Sequence, residues 1–572
     1  FKLYMKKLTV IDFFCGAGGF SEGFRQKGYE IIAGYDHWKP AVDSFNHNYG
    51  TTSTVTNILD FKDSIAKIQE LPDTDIIIGS PPCVSFSSSN KSGKADKTLG
   101  LDLTKSFLRI VAIKKHQKKS ILKGWFMENV VNSKKYISNI YSFVDLNLEK
   151  WAKENGINPK SEALNLRDNS IIINSADYGS YQARKRVISG EIISVNKIVV
   201  PKPENSNIPS SDLPMWNKLG DLLKALPSPL TEKSDFIISD PIYSTIKLKQ
   251  SELTDHFYDS GLYKSEWRQS KELKTNHYCM GKMSFPENSN KPSRTITATK
   301  SGTSREALIY NAENSRKGNG QYRSPTVREA ACIMGFPFTY QFLGSSNTKW
   351  RLIGNAVCPS VSRAFANQVL NELKLPSNKD LKLVKSPNLT GIQNLNDFQE
   401  KKFDKQPKRT KNSRFRRHPI KEGNLTVTLS NFDIKKNTKA SKKWYTSIQY
   451  GTGVGYKNQN IDDGFYKKIE SIILEEKSGP QFVKIINNGF SEKIGTSSDL
   501  QRMYEEQKAF KNLLEPTTLV ERVNKIINEI KFENKKYKQH DKNVFKNKSI
   551  VPMSQVFALY AINIIASIAN KK

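Results

Sequence analysis

Hydrophobic positions in the first third of the chain fall into short, dense runs: "LTVIDFF", "EIIAGYD", "TDIIIGS" and "GWFMEN". Each is rich in β-branched or aromatic residues and stops at a polar or glycine residue, as buried strands do. Between them the spacing turns helical, as in "LTKSFLRIVAIKKHQ". Strand-like and helical segments alternate from residue 8 to about 190, which predicts βαβ units and a parallel sheet wrapped by helices. From about 191 to 290 the periodicity fades into Pro- and Ser-rich loops such as "VPKPENSNIPSSDLPMW", the mark of a less regular segment. Helical spacing returns in "SPTVREAACIMGF" and "SVSRAFANQVLNELK".

After Leu375 the pattern shifts again. "KKFDKQPKRTKNSRFRRH" is basic and turn-rich, so a linker is expected over 376–424, poorly ordered when free. Beyond it, "NLTVTLSNF" and "KWYTSIQYGTGVGY" read as strands joined by Gly turns, while "FYKKIESIILEE" and "LVERVNKIINEIKF" read as helices. Residues 425–572 are therefore expected to form an α+β extension. The run "SIVPMSQVFALYAINIIASIAN" carries no charge and is long enough to span a bilayer. Pro552, Gln555 and Asn563 interrupt it, which favours a buried helix, and no membrane partner is expected.

Composition narrows the partners. The 572 residues carry a formal net charge of +33, a surplus that repels itself unless a polyanion neutralises it. Nucleic acid is the leading partner; compositional bias of a Lys- and Asn-rich genome is the plainer alternative. Five scattered cysteines without a C-x-x-C pair argue for a reducing compartment and against a disulfide framework or zinc cluster. The first residues contain no long apolar stretch of a secretory signal.

Candidate chemistry sits where the strand-like runs end, the edge at which open α/β sheets bind ligands. The first run enters "DFFCGAGGF", where Gly16, Gly18 and Gly19 allow close backbone approach to a ligand. Ser21 stands where a dinucleotide fingerprint has its third glycine. The second run ends at Asp36, followed by Trp38; an acid twenty residues past the glycines is placed to hold ribose hydroxyls. No G-K-[ST] follows to grip phosphates, so an adenosine-containing cofactor is favoured. The third run leads through Pro81 and Pro82, which stiffen the backbone, to Cys83, a candidate nucleophile. The fourth ends at Glu128, a candidate proton donor to a ring nitrogen. In "ADYGSYQARKRV", Gln182, Arg184 and Arg186 alternate as on a strand, and two arginines on one face can clamp a carbonyl oxygen or phosphate.

The order of these motifs is more specific than any one of them. "DFFCGAGG", "SPPCVSFS", "MENV", "QARKR", "YRSPTVREAACIMGFP" and "RLIGNAVCPSV" give residues 8–375 a clear likeness: the chain resembles the DNA (cytosine-5) methyltransferases of prokaryotic restriction-modification systems. That resemblance implies a Rossmann-like S-adenosylmethionine-dependent methyltransferase fold. It places a catalytic domain at 1–190 completed by 345–375, and a smaller irregular target recognition domain at 191–344. It implies that Cys83 attacks C6 of a flipped-out cytosine, Glu128 engages N3 and Arg184 contacts O2, with Arg186 beside them. Phe14 would stack on the adenine of S-adenosylmethionine and Asp36 would hold its ribose. Trp38, Asn57, Ile58, Pro81, Leu103, Asn355 and Val357 would complete that pocket with the glycines. Ser85, Ser87 and Gln182 would contact DNA. The implied setting is the prokaryotic cytoplasm, at the nucleoid, with double-stranded DNA as partner, a monomer on DNA, and a cognate restriction endonuclease as a further candidate partner.

Three positions depart from the family pattern. Val84 replaces a usual Gln, Asn57 a usual Asp, and Cys358 the first of two prolines; none removes a catalytic group. A zinc deaminase would need H-x-E and P-C-x-x-C, which are absent. A transfer RNA target and a catalytically dead DNA-binding repressor are the alternatives to an active DNA enzyme. The extension could be an accessory DNA-binding or allosteric module, a docking module for another protein, or a nuclease, since Asp462, Asp463 and "ILEEK" faintly match D…E-x-K metal chemistry.

Overall fold

The computed structural model describes residues 7–572 except 83–96, 210–211, 233, 277–280, 377–379, 396–399, 404–417, 423–424, 434–437, 440–442, 451–457, 461–462, 490–492, 507–508, 510–511, 539–544 and 546–549. Cys83, Val84, Ser85 and Ser87 thus lie outside the described residues, as does Asp462. The chain divides into two compact units, Phe1–Phe403 and Asp404–Lys572.

Six strands form the sheet of the first unit: β1 (Thr9–Phe13), β2 (Glu30–Tyr35), β3 (Ile76–Gly79), β4 (Gly124–Asn129), β5 (Ser170–Asn174) and β6 (Lys185–Ile192). Their spatial order is β2-β1-β3-β4-β6-β5. β1 pairs in parallel with β2 and β3, and β3 with β4, whereas β6 runs antiparallel to β4 and β5. The expected α/β class and its first four strands are therefore found. Strand order reverses between β1 and β3, so a crevice opens beyond their carboxyl ends.

Alternation along the central strands sends side chains to two cores. Val10, Ile76, Ile78 and Phe126 enter one, and Ile11, Phe13, Ile77, Trp125 and Met127 the other. On the first face lies helix α1 (Gly19–Gln26); on the second, α2 (Lys97–His116) contributes Phe107, Leu108 and Val111. Late segments return to complete this body: α3 (Val327–Met334), α4 (Ser346–Asn355) and α5 (Pro359–Glu372). Thr326 and Glu329 form a capping box at α3, and Pro359 sits at the start of α5, where its missing N–H costs nothing. α5 lies against α1: Tyr29 donates to the Ala366 carbonyl at 3.0 Å, and Ser362 donates to that of Phe20.

The segment expected as a separate target recognition domain shares the main core. Leu219, Tyr243, Leu253 and Phe257 pack in the same cluster as Phe20 and Phe126; Leu262, Trp267, Ala307 and Ile309 form a small satellite. Its frame is internally charged. Arg323 grips Glu329 through two 2.8 Å bonds, both side chains buried. Burial alone would raise the Glu329 pKa, but the Arg323 charge holds it below the usual carboxylate range. Arg328 is fully buried, donating to Thr254 and to the Tyr340 carbonyl.

The expected linker begins too early. Described residues between 380 and 403 lie along the first unit instead: Lys382 N–H donates to the Gln26 carbonyl at 2.8 Å, Leu395 N–H to Asp255 at 3.1 Å, and Lys401 N–H to Asp259 at 3.0 Å. The reading by charge missed this because the bonds are made by backbone N–H groups, those of Lys382 and Lys401 among them.

The second unit is α+β, as expected. Strands His418–Glu422, Leu425–Ser430, Tyr445–Tyr450 and Asn458–Asn460 form an antiparallel sheet in that order. Helix α6 (Met553–Lys571) runs through the core, and Asn570 exchanges two hydrogen bonds with the Trp444 backbone. It is long and apolar enough to cross a membrane, yet 67% of its apolar window is buried in this unit. Of the acids in the nuclease expectation, Asp462 lies outside the described residues, and Asp463 does not approach Glu475. Asp463 and Glu475 stand at opposite ends of one helix, Asp463–Glu475. Twelve residues of rise separate them by about 18 Å, too far to share a metal ion.

A methyl group at Gly23 would lie 2.2 Å from the Arg363 nitrogen. Gly→Ala inside a helix ordinarily gains roughly 1 kcal/mol. Here Gly23→Ala is expected to destabilise the protein by about 1–3 kcal/mol through overpacking, measured by urea denaturation; a gain would refute the α1–α5 packing.

Candidate active site

Four strand ends meet at the crevice. The chain leaves β1 through Phe14, at φ 55°, and Gly16, at φ 54°. A side chain built at Gly16 would meet no atom within 4 Å, so this turn faces open space. Gly18 and Gly19 are different. A Cβ at Gly18 would strike the Tyr49 ring, and one at Gly19 would sit 2.3 Å from the Val357 carbonyl oxygen. At Gly18 and Gly19 the absence of a side chain thus makes room for other parts of the protein.

Asp36, just beyond β2, joins two loops. One carboxylate oxygen accepts from Gly16 N–H at 3.0 Å and the other from Trp38 N–H at 2.9 Å. His37 Nδ1 stands 3.4 Å from the oxygen that Trp38 N–H holds, and the other oxygen keeps a lone pair for another donor. Asn57 uses its side-chain oxygen to cap the turn Ile58–Phe61 through Leu59 N–H at 3.1 Å. Ile58 is buried and Leu103, on α2, half-buried. Asn355 is exposed at the end of α4, and Val357 is buried two residues on. Pro81, beyond β3, is buried, and its carbonyl accepts from Asn129 at 3.4 Å.

Glu128, at the end of β4, is 7% exposed. Because β6 runs antiparallel to β4, its first residues arrive at the same edge. Arg186 Nε lies 2.9 Å from Glu128 Oε1, an ion pair too poorly aligned to count as a hydrogen bond. Arg184 goes elsewhere: its guanidinium donates to the carbonyls of Ile296, Gly354 and Ala356 at 3.2–3.3 Å. The residue expected at the cytosine O2 thus ties three chain segments together. Gln182 is also corrected. It is fully buried, accepting from Ile296 N–H at 3.2 Å and donating toward Cys358 Sγ at 3.5 Å, so it offers nothing to DNA in this arrangement. β6 begins only at Lys185, so the one-sided alternation read across these three positions does not exist.

The reading from sequence passed over three participants. Asn129 holds the Pro81 carbonyl two residues before Cys83. Arg351 packs its guanidinium 4.5 Å above the Trp38 ring. Asp12 is fully buried, with one oxygen accepting from Ser21 at 2.7 Å and the other without a hydrogen-bond partner. An acid inside the apolar run "TVIDFF" was the available signal, since a carboxyl is rarely buried without a task.

Fold and crevice define an α/β protein with a glycine turn, a buried acid and the arginine paired with it at one edge of the sheet. The C-5 cytosine-specific DNA methylase family matches residues 8–371. The chain belongs to this family and is a DNA cytosine-5 methyltransferase. Among similar proteins, the type II methyltransferase M1.HphI of Haemophilus parahaemolyticus is 26% identical over 376 residues, covering 64% of this chain and 88% of that protein. The type II methyltransferase M.HindV of Haemophilus influenzae is 26% identical over 375 residues, covering 64% and 98%.

Burial lifts the Asp12 pKa from 3.8 to about 8; the Ser21 bond opposes this and the Asp36 charge adds to it. A folded-state pKa above the unfolded one stabilises at low pH, and that stability is lost as pH rises toward the folded value. Asp12→Asn cannot lose it. The stability of Asp12→Asn relative to the natural protein should therefore rise between pH 5 and pH 8, measured by urea denaturation; a difference independent of pH would contradict it.

Proposed function

We propose that the chain methylates C5 of cytosine in double-stranded DNA through a covalent adduct on Cys83, with S-adenosylmethionine as methyl donor, and thereby protects host DNA in a type II restriction-modification system. The observation carrying this reading is the pairing of Glu128 with Arg186 at the edge reached by the Pro81–Pro82 segment leading to Cys83.

The residues at the crevice suit the cofactor. Gly16 leaves a backbone cradle open, and Asp36 presents a carboxylate for ribose hydroxyls. Phe14, Trp38, Ile58, Pro81, Leu103 and Val357 supply apolar walls, with Asn57 and Asn355 as polar contacts. S-adenosylmethionine supplies an electrophilic methyl group there.

Cytosine itself is a poor nucleophile at C5. Attack of the Cys83 thiolate on C6 forms an S–C6 bond and moves the C5=C6 electron pair onto C5 as an enamine. Glu128 delivers a proton or hydrogen bond at N3, drawing the resulting charge out of the ring. Arg186, rather than Arg184, is the guanidinium for O2, because it pairs with Glu128 while Arg184 is engaged with three backbone carbonyls. After C5 takes the methyl group, loss of the C5 proton restores the double bond and expels the thiolate. A duplex base is out of reach of such a site, so the cytosine must be extruded at a cost of a few kcal/mol. The surplus of cations helps to offset this through phosphate contacts. We assign target reading to residues 191–344 around Lys264–Thr275, and accept Ser85 and Ser87 as DNA contacts beside the nucleophile.

The test is incubation with labelled cofactor and unmethylated duplex, then bisulfite sequencing. Methylated cytosines in one sequence context are expected; transfer to RNA alone would overturn the DNA reading. Cys83→Ala should abolish turnover while retaining cofactor binding. Glu128→Gln and Arg186→Lys, which keeps a cation beside Glu128, should each lower kcat about 10²–10⁴-fold with little change in unfolding midpoint. Arg184→Ala should instead lower the unfolding midpoint, having removed a brace. Equal effects of the two arginine changes on both readouts would refute the division of roles.

A further inference from the structure

The Arg351–Trp38 contact belongs to none of the roles above. Trp38 follows Asp36 on the rim of the cofactor crevice, and its backbone N–H is already fixed by the Asp36 carboxylate. Its indole is half-buried, so one face needs a neighbour. Arg351 provides it, with the guanidinium carbon 4.5 Å from the ring centroid, while remaining exposed itself. Among the described residues Arg351 has no ion pair, so its cation is engaged with the ring rather than with a carboxylate. Arg351 stands one helical turn before Asn355 on α4, so the same helix face meets the crevice twice.

The other side of α4 is firmly anchored. Lys349 is fully buried and pairs with Asp255 at 2.7 Å. Trp350 donates to the Thr297 carbonyl at 2.9 Å. Gly354 lies so close to the 297–298 backbone that a Cβ would sit 2.5 Å from that carbonyl oxygen. The helix therefore cannot roll, and the guanidinium is presented from a fixed support.

We infer that Arg351 is a positioning residue of the cofactor site: it stacks on Trp38 and holds the indole in the orientation that walls the adenosine pocket. The inference rests on the cofactor reading above. A fixed wall lowers the ordering cost that a mobile indole would add on binding. An exposed cation–π contact of this kind corresponds to roughly a two- to fivefold change in an equilibrium constant.

The competing role is direct: a guanidinium near the crevice could act electrostatically on the cofactor's sulfonium. The two are separated by comparing S-adenosylmethionine with S-adenosylhomocysteine, whose sulfur is uncharged. Calorimetric Kd values for both ligands would be measured on the full chain, for the natural protein and for Arg351→Ala, Arg351→Lys, Trp38→Leu and the Arg351→Ala/Trp38→Leu double variant. Action through Trp38 predicts that Arg351→Ala weakens both ligands equally, about two- to fivefold. Arg351→Lys should recover part of the loss. In the double variant the arginine change should add nothing to Trp38→Leu, and the unfolding midpoint of Arg351→Ala should match the natural protein. Unchanged Kd values for Arg351→Ala overturn the inference, as does a loss that persists in the Trp38→Leu background. Tighter S-adenosylmethionine binding with unchanged S-adenosylhomocysteine binding also overturns it, in favour of repulsion of the sulfonium. Failure of the natural protein to bind either ligand would instead overturn the cofactor reading itself.

Discussion

The site depends on one charged pair, Glu128 with Arg186, held 2.9 Å apart at the edge of the sheet. A carboxylate buried to this degree is costly unless a cation accompanies it. The fold supplies the cation by reversing one strand. β6 runs against β4, so the residues that begin β6 meet those that end β4, and acid and guanidinium are brought together by register rather than by a loop. In a purely parallel sheet the start of β6 would lie at the far edge. The pair is imperfectly aligned: Glu128 Oε1, the oxygen facing Arg186, makes no hydrogen bond.

Around that pair the protein spends many buried polar groups on holding chain segments together. Arg184 binds three backbone carbonyls from two distant segments, Gln182 accepts from Ile296 N–H in one of the same segments, and Asp36 secures the turns after β1 and β2. Arg184 and Gln182 thus position the site from the interior. The residues closest to the crevice are correspondingly fewer than a motif reading suggests, and they come from segments as far apart as Phe14 and Asn355.

Much of this was legible in the chain itself. The four parallel strands show as apolar runs because they are covered on both faces, and their polar ends mark the crevice. What sequence could not reveal was which member of a motif points where. In "QARKR" the three side chains look equivalent; only the start of β6 at Lys185 separates Arg186, at the edge, from Arg184 and Gln182, in the interior. The glycines of "CGAGG" likewise look alike, yet Gly16 faces open space while Gly19 faces Val357. The strap after residue 380 was misread because charge dominates its composition while its anchoring bonds are made by backbone. Helices Gly479–Gly489 and Ser497–Glu506 in the second unit were passed over, being short and bounded by Gly, Ser and Asn.

A covalent bond between the Cys83 sulfur and C6 of a target cytosine, with Glu128 and Arg186 drawing charge from the ring, is the central step of the proposed reaction. A duplex carrying 5-fluorocytosine in the recognition sequence tests that bond directly, because fluorine at C5 cannot leave as a proton does. In the presence of S-adenosylmethionine the account predicts a stable protein–DNA adduct, with the added mass on the peptide containing Cys83. Steady methylation of ordinary cytosine with no adduct on the fluorinated duplex, or an adduct on another residue, would contradict it.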